Sequence, residues 1–169
     1  MPELDELELR RVSPDDWPLW RELRLAALAE APYAFGSTLA DWQDAEEARW
    51  RSRLDLPGAL DLVALLAGRP VGMASGVPVE ADAAAAELIS MWVGPQARGK
   101  GVADRLITEI AHWATDQGRT TLKLAVAPDN PAALALYRRN GFADTDEPGD
   151  LMADGLRREL VMAKALKTP

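Results

Sequence analysis

One stretch, residues 87–103 (ELISMWVGPQARGKGVA), constrains the fold of this chain more than any other. It begins with strand-forming residues up to Val93, and Gly94-Pro95 then ends the strand. A loop with two glycines and two cations, Arg98 and Lys100, leads directly into a helix with apolar periodicity. The unpaired N–H groups at a helix N-terminus carry partial positive charge, and glycines let a phosphate approach the main chain. The sequence therefore predicts an anion-binding site here, with a pyrophosphate as the expected ligand.

Length and composition restrict the domain count and the available chemistry. A chain of 169 residues is expected to form a single domain, residues 1–169. It has no cysteine and one histidine, so a thiolate nucleophile and a His-rich or thiolate metal site are excluded and no metal is expected. The net charge of −8 argues against binding to nucleic acid and is compatible with an amine substrate. With neither a signal peptide nor a membrane span in the pattern, no membrane partner is expected and the expected location is cytoplasmic.

Hydrophobic periodicity and turn signals predict alternating strands and helices. Strands are predicted at 6–12, 59–67, 71–79, 87–93 and 120–126, from Phe142, and at 157–163; helices are predicted at 15–30 with Asp15 as N-cap, at 44–54 with Asp44 as N-cap, at 102–116 and at 131–140. A hairpin turn is predicted at Gly68-Arg69-Pro70, and an irregular acidic loop at 148–155. Strand, helix and strand from 87 to 126 form a βαβ-like unit, so its two strands should run parallel.

The glycine loop by itself leaves its ligand open. It is not a Walker A loop, because Gly101 stands where Ser or Thr would follow Lys100. It is not a dinucleotide fingerprint either, because Asp104 stands where the third glycine would be. A tight strand-to-helix turn that binds nothing is the alternative.

A second block, residues 129–142 (DNPAALALYRRNGF), follows at the distance that a βαβ crossover requires. Together the two blocks resemble the GNAT superfamily of N-acetyltransferases, which use acetyl-coenzyme A. The loop matches the family pattern Q/R-x-x-G-x-G/A, and the later block matches N-x-x-A-x-x-x-Y-x-x-x-G-F. The matching residues are Gln96, Arg98, Gly99 and Gly101 in the loop, and Asn130, Ala133, Tyr137, Gly141 and Phe142 in the later block. The resemblance is close over 87–142 and looser outside it.

The resemblance implies a fold and a cofactor. The fold would be a single α/β (α+β) domain of the GNAT type, with a mixed, mostly antiparallel sheet flanked by helices. In it a parallel strand pair splays apart around acetyl-coenzyme A (acetyl-CoA). The pyrophosphate would bind to the loop, the pantetheine arm to the edge of strand 87–93, and Asn130 would hydrogen-bond the arm. The cofactor-binding residues would be Met91, Trp92, Val93, Gln96, Arg98, Gly99, Lys100, Gly101, Val102, Ala103, Asn130, Ala133 and Tyr137.

The resemblance also implies catalytic roles, each with an alternative. Tyr137 matches the general acid that protonates the coenzyme A thiolate; otherwise it is a packing tyrosine. Glu87 corresponds to a catalytic base in some members; otherwise it is a solvated carboxylate at a strand end. Alternation puts Glu87 on the face of Met91 and Val93 only if no β-bulge intervenes. Ser90 could instead order a water wire.

Three basic or imidazole side chains have weaker motif support. His112 lies off the apolar stripe of its helix and is expected at the surface. Arg138 and Arg139 are expected to be charges at a helix C-terminus, with contact to the coenzyme's 3′-phosphate as the alternative.

The resulting hypothesis is an acetyl-CoA-dependent acyltransferase that acetylates a primary amine by direct attack in a ternary complex. The absence of cysteine supports the direct route. The rivals are a non-catalytic acyl-CoA-binding or regulatory domain, a transferase of a larger acyl group, and an unrelated nucleotide-binding protein. The sequence does not identify the acceptor, whether small molecule or peptide, whose site would be built from loops 31–43 and 148–156. Homodimers are common in the family.

Overall fold

The computed structural model describes residues 6–32, 37–152 and 154–167 of the chain. Its strands are β1 (Leu7–Arg11), β2 (Leu60–Leu66), β3 (Arg69–Pro78), β4 (Ala85–Val93), β5 (Thr121–Val126), β6 (Ala143–Leu151) and β7 (Arg158–Ala165). Its α-helices are α1 (Trp17–Glu30), α2 (Leu39–Trp42), α3 (Glu47–Arg53), α4 (Val102–Asp116) and α5 (Pro131–Arg139). Among the described residues, no helix is both long and apolar enough to cross a lipid bilayer.

The strands form one seven-stranded sheet in the order β1-β2-β3-β4-β5-β7-β6. Strands β4 and β5 pair in parallel, and the other neighbouring strands pair antiparallel, which confirms the predicted mixed sheet. The parallel pairing runs only from Ala85 opposite Thr121 to Glu87 opposite Lys123. Beyond these residues β4 and β5 separate, and the cleft between them holds the candidate site described below.

Helices cover both faces of the sheet. Leu106, Ile107 and Ile110 of α4 are fully buried against one face, and Trp20 of α1 and Trp50 of α3 are fully buried against the other. Every residue of β2 is buried as a result, because a strand covered on both sides has no solvent face. This explains why its sequence, LDLVALL, is nearly continuous in apolar residues.

The first helix begins with a different cap from the predicted Asp15. A short 3₁₀ turn, Pro14–Asp16, precedes α1, and the Ser13 N–H donates to Asp16 Oδ2 at 2.8 Å. The pairing of Ser13 with an acidic residue three positions later is a capping box, which satisfies otherwise unpaired donors. Asp15 instead accepts a hydrogen bond from Arg51 Nη1 at 2.8 Å.

Two predicted boundaries in the first half of the chain were wrong. Helix α3 begins at Glu47 with Glu46 as its N-cap, so Asp44 is not the cap. The hairpin turn is Ala67-Gly68, with φ of 51° and 80°, the pair of positive angles that a two-residue type I′ turn requires. Arg69 and Pro70 therefore begin β3 instead of forming the turn.

The predicted loop at 148–155 was also partly wrong, because residues 148–151 belong to β6. This strand lies at the edge of the sheet with most of its residues exposed, so it lacks the apolar alternation that marks a strand. Its register against β7 is irregular, and Gly149 passes so close that a Cβ there would lie 2.1 Å from the Glu159 carbonyl oxygen. A glycine is required at this approach.

Candidate active site

Strand β4 contains a β-bulge at the point where it leaves β5. Met73 of β3 pairs with Trp92, whereas Ser75 pairs with Ile89, so β4 has one extra residue between them. Ser90 has a φ of 55°, in the left-handed region that few non-glycine residues adopt. The bulge reverses the alternation, so Glu87 does not share a face with Val93.

A buried network holds the bulge from the α1–α3 side. Arg53 Nη2 donates to Ser90 Oγ and to Ser75 Oγ, each at 3.0 Å, and Arg53 Nη1 donates to Asp61 Oδ1 at 3.0 Å. Ser75 Oγ completes the network by donating to Asp61 Oδ1 at 2.5 Å. Asp61 is 4% exposed, and Arg53 is the cation that pairs with this buried carboxylate. Ser90, considered above as the anchor of a water wire, lines the cleft with its hydroxyl bonded to Arg53.

On the α4–α5 side, the cleft opens into a cavity of about 670 Å³, called here the donor cavity. Eleven of the thirteen residues expected to bind the cofactor line it: Met91, Trp92, Val93, Arg98, Gly99, Gly101, Val102, Ala103, Asn130, Ala133 and Tyr137. Gln96 and Lys100 do not contribute to its walls. The predicted motif residues are thus largely brought together around one space.

The loop at the mouth of the donor cavity has the backbone geometry of an anion site. Gly99 and Gly101 have φ of 77° and 82°, angles that a side chain would strain, and Gly101 is the N-cap of α4. The first N–H groups of α4 are therefore available to an anion.

Arg98 is hydrogen-bonded to the neighbouring elements. Its Nε donates to the Val93 carbonyl at 2.9 Å, and its Nη2 donates to Glu30 Oε2 at 3.0 Å. Trp92 Nε1 donates to the same Glu30 oxygen at 3.1 Å. The hydrogen bonds from Arg98 and Trp92 lower the pKa of Glu30. The side chain of Arg98 remains 49% exposed, so one side of its charge still faces solvent at the cavity mouth.

Helix α5 supplies the other wall of the donor cavity. Asn130 is its N-cap and accepts a hydrogen bond from the Ala133 N–H at 3.2 Å, which leaves the amide Nδ2 of Asn130 as a donor. Arg139 lines the cavity and pairs with Asp104 at 3.1 Å. Arg138 pairs with Asp144 and does not line it. Of the two arginines considered for a 3′-phosphate, Arg139 is the one at the site.

A second cavity of about 450 Å³, called here the acceptor cavity, lies on the other side of the cleft. Met91, Asn130, Ala133 and Tyr137 line both cavities, so the two spaces adjoin at these residues. Tyr137 is 8% exposed and packs edge-on against Phe142, with ring centroids 5.9 Å apart. Burial raises the pKa of the Tyr137 hydroxyl, so it stays protonated at neutral pH.

The acceptor cavity has an acidic wall formed by Glu87, Asp150 and Glu159. Burial, followed by the charges of Asp150, Glu159 and Glu147, raises the pKa of Glu87. Burial and the charge of Asp150 raise the pKa of Glu159 in the same way. Asp150 falls within the predicted acceptor loop 148–156, but Glu159 carried no sequence signal because it lies inside a strand.

A basic wall faces the same cavity, and the sequence analysis missed it. Arg24 and Arg53 line the cavity together with the rings of Trp20, Trp42 and Trp50. Burial and the charge of Arg53 lower the pKa of Arg24 to about 10. Arg24 lies four residues after Trp20, on the buried face of α1, and a charged residue on an apolar stripe is the signal that could have revealed it.

His112 is exposed on α4, as expected. Ser37 and Trp42 of loop 31–43 line the acceptor cavity, and residues 33–36 lie outside the described part of the chain.

Comparison with known proteins identifies the family. The model of the acetyltransferase (GNAT) family matches residues 18–142. A mycothiol acetyltransferase from Renibacterium salmoninarum is 28% identical over 141 residues, which are 83% of this chain and 41% of that protein. The chain therefore spans less than half the length of this curated relative.

Solved structures share the whole fold. A ribosomal-protein-alanine N-acetyltransferase from Brucella melitensis is 27% identical with a TM-score of 0.74, covering 94% of this chain and 99% of that one. YncA from Salmonella typhimurium, solved with its cofactor acetyl-CoA, is 21% identical with a TM-score of 0.75, covering 96% of this chain and 95% of that one. The family match, the splayed β4–β5 pair and the glycine loop before α4 agree, and the chain belongs to the acetyltransferase (GNAT) family.

Proposed function

We propose that this protein transfers an acetyl group from acetyl-CoA to a primary amine by direct attack in a ternary complex. The observation that carries the proposal is the junction of the two cavities at Met91, Asn130 and Tyr137. A donor in one cavity and an acceptor in the other would meet there with their reacting atoms in contact. The chain has no cysteine to form an acyl-enzyme, which favours the direct route.

The residues of the donor cavity fit coenzyme A. Its pyrophosphate is an anion that suits the N–H groups following Gly101, with Arg98 beside them. Arg139, farther along the same cavity, adds a cation for another phosphate. The β4 edge next to Met91 lacks a strand partner beyond Glu87 and can pair with the amide groups of the pantetheine arm. The bound coenzyme supplies the acetyl group as a thioester, and a structural neighbour solved with acetyl-CoA supports this assignment.

Tyr137 is proposed as the general acid. It lies at the junction of the cavities, and burial keeps its phenol protonated, so the proton is in place when a thiolate departs. Its ring position is held by Phe142.

Glu87 is proposed as the general base, acting on the acceptor amine directly or through water. It lines the acceptor cavity, because the bulge at Ser90 separates its face from that of Val93. The raised pKa of Glu87 makes it a stronger base than an ordinary glutamate. The neighbouring carboxylates of Asp150 and Glu159 attract a cationic amine to the same wall.

The test is an assay of acetyl-CoA turnover with a panel of primary amines, in which the reaction is monitored by the release of free thiol and by mass spectrometry of the product. We expect a mass increase of one acetyl group on at least one amine. Acetyl-CoA binding without turnover would favour the non-catalytic acyl-CoA-binding domain. Faster turnover with propionyl-CoA or succinyl-CoA would favour a larger acyl group. Thermal stabilisation by ATP, with none by acetyl-CoA, would contradict the proposal.

A further inference from the structure

Glu30 is an acidic residue at the mouth of the cavity to which an anion is assigned above. It is the last residue of α1, and the next residue, Ala31, lines the donor cavity. Its Oε2 lies 3.0 Å from Arg98 Nη2, so a carboxylate stands beside the cation at the cavity mouth. Coulomb repulsion between this carboxylate and a pyrophosphate would weaken coenzyme binding, and the negative end of the helix dipole adds to its cost. Such a position is unfavourable unless the carboxylate has a further role.

The guanidinium of Arg98 is held along one edge. Its Nε donates to the Val93 carbonyl at 2.9 Å and its Nη2 donates to Glu30 Oε2 at 3.0 Å. Within the described part of the chain, these are the hydrogen bonds that this side chain makes. The other edge, with Nη1 and the second N–H of Nη2, can therefore bind two oxygens of a phosphate in the fork geometry of arginine.

The same Glu30 oxygen also accepts a hydrogen bond from Trp92 Nε1, at 3.1 Å. Trp92 is 8% exposed and packs with Trp20 and Trp50 in the core that α1 and α3 form against the sheet. Because side chains in a packed core occupy fixed rotamers, the indole N–H fixes the carboxylate, which in turn fixes Arg98. A 49% exposed arginine would otherwise sample many rotamers and lose that freedom on binding a ligand.

Resting on the function proposed above, we infer that Glu30 is a positioning residue for coenzyme binding: one carboxylate oxygen, held by Trp92, orients Arg98 towards the pyrophosphate of acetyl-CoA. The hydrogen bonds from Arg98 and Trp92 lower the pKa of Glu30, so the carboxylate is ionised at neutral pH. Glu30 is not among the residues that line either cavity, so it acts on the coenzyme through Arg98. Its effect should appear in the affinity for the coenzyme and leave the chemical step unchanged.

The experiment is a double-mutant cycle on Glu30 and Arg98, with the Kd of acetyl-CoA measured by calorimetry. Glu30→Ala should weaken binding by about 3- to 10-fold, which corresponds to the entropy lost when one flexible side chain is immobilised. Arg98→Gln should weaken it by about 10-fold or more, the value of a charge-assisted hydrogen bond. In the Arg98→Gln background, Glu30→Ala should cause no further loss, because the side chain that it orients is absent. Equal losses in both backgrounds would overturn the inference, and so would unchanged or tighter binding by Glu30→Ala alone.

Two matched variants separate positioning from a general loss of structure. Glu30→Gln retains an oxygen that can accept from both Arg98 and Trp92, so it should restore the wild-type Kd or improve on it. A loss equal to that of Glu30→Ala would overturn the role of the shared oxygen. Glu22→Ala removes the same charge from an exposed position on α1 and should leave the Kd unchanged.

Turnover measurements separate this inference from the proposed function. At saturating acetyl-CoA, Glu30→Ala should keep the wild-type kcat while its KM for acetyl-CoA rises, and a fall in kcat with unchanged KM would overturn the positioning role. Wild-type protein that binds acetyl-CoA and acetylates no amine would refute the proposed transfer, while the Kd cycle still decides the role of Glu30. Wild-type protein that does not bind acetyl-CoA would refute both.

Discussion

Replacing Arg53 with methionine tests the buried network that supports the β4 bulge. Methionine retains much of the apolar stem and removes the charge. Asp61, which is 4% exposed, then loses its charged partner, and Ser90 loses the donor to its hydroxyl. Removing one partner of a buried ion pair costs about 3–5 kcal/mol of stability, because the other charge is left buried. That is a large share of the ~5–15 kcal/mol that stabilises a typical domain.

The expected effect is large enough to measure in two ways. For a chain of this size, each kcal/mol shifts Tm by about 2–4 °C, so Arg53→Met should lower Tm by about 6–20 °C. Urea unfolding should give the same loss with an unchanged slope. Tryptophan fluorescence is a suitable probe, because the Arg53 guanidinium lies 5.0 Å from the centre of the Trp20 ring.

A neighbouring arginine provides the matched control. Arg51 lies on the same helix and pairs with Asp15 and Glu47 at the surface, so Arg51→Met should cost under about 1 kcal/mol. A double-mutant cycle of Arg53→Met with Asp61→Asn should show a coupling energy above about 1 kcal/mol. If Arg53→Met lost no more stability than Arg51→Met, the reasoning that buried Asp61 requires its charged partner Arg53 would be refuted.

Four further predictions concern the site and its support. Tyr137→Phe should lower kcat by about 10²-fold or more with little change in acetyl-CoA affinity, and an unchanged kcat where chemistry is rate-limiting would remove its acid role. The pKa of Glu87 is raised in the folded protein, so ionising this carboxyl lowers the free energy of unfolding. This loss of stability is absent below the pKa of Glu87 in the unfolded chain and appears as the pH rises through its pKa in the folded protein. Glu87→Gln should therefore raise Tm at pH 8 but not near pH 4, and equal Tm changes at both pH values would contradict this. The same variant should lower kcat and remove the acidic limb of the pH profile of kcat. Gly101→Glu should weaken acetyl-CoA binding in calorimetry by about 10-fold or more, whereas Gly118→Glu, at a positive φ of 79° beyond the other end of α4, should not. Gly76→Ala should lower Tm, because its Cβ would lie 2.6 Å from the Trp113 ring, and wild-type stability in a urea titration would show that this contact can yield.

The lining of the donor cavity could be predicted from sequence because its determinants are local. The positive φ of Gly101, the start of α4 and the capping bond from the Ala133 N–H to Asn130 each depend on residues within a few positions of one another. A short motif therefore carries its own geometry, and the predicted parallel strand pair then places the two motifs side by side.

The bulge at Ser90 could not be read in the same way. Nothing in the run LISMWV marks the extra residue, since its position depends on the register against β3 and on the hydrogen bond from Arg53. The bulge in turn decides that Glu87 lines the acceptor cavity on the face opposite to Val93. From the sequence alone, the face of Glu87 could be predicted only conditionally, because it depended on whether a β-bulge intervened.

By itself, the sequence determined the strand–loop–helix frame and the family pattern that points to a thioester of coenzyme A. Only the tertiary structure decided the lining of the acceptor cavity, because its charges come from elements distant along the chain: Arg24 from α1, Arg53 from α3, and Asp150 and Glu159 from β6 and β7. The pKa values of such groups depend on burial and on the distance to other charges, which raise the pKa of Glu87 and lower that of Arg24. Long-range Coulomb and desolvation effects have no local sequence pattern, whereas backbone geometry at glycines and helix caps does.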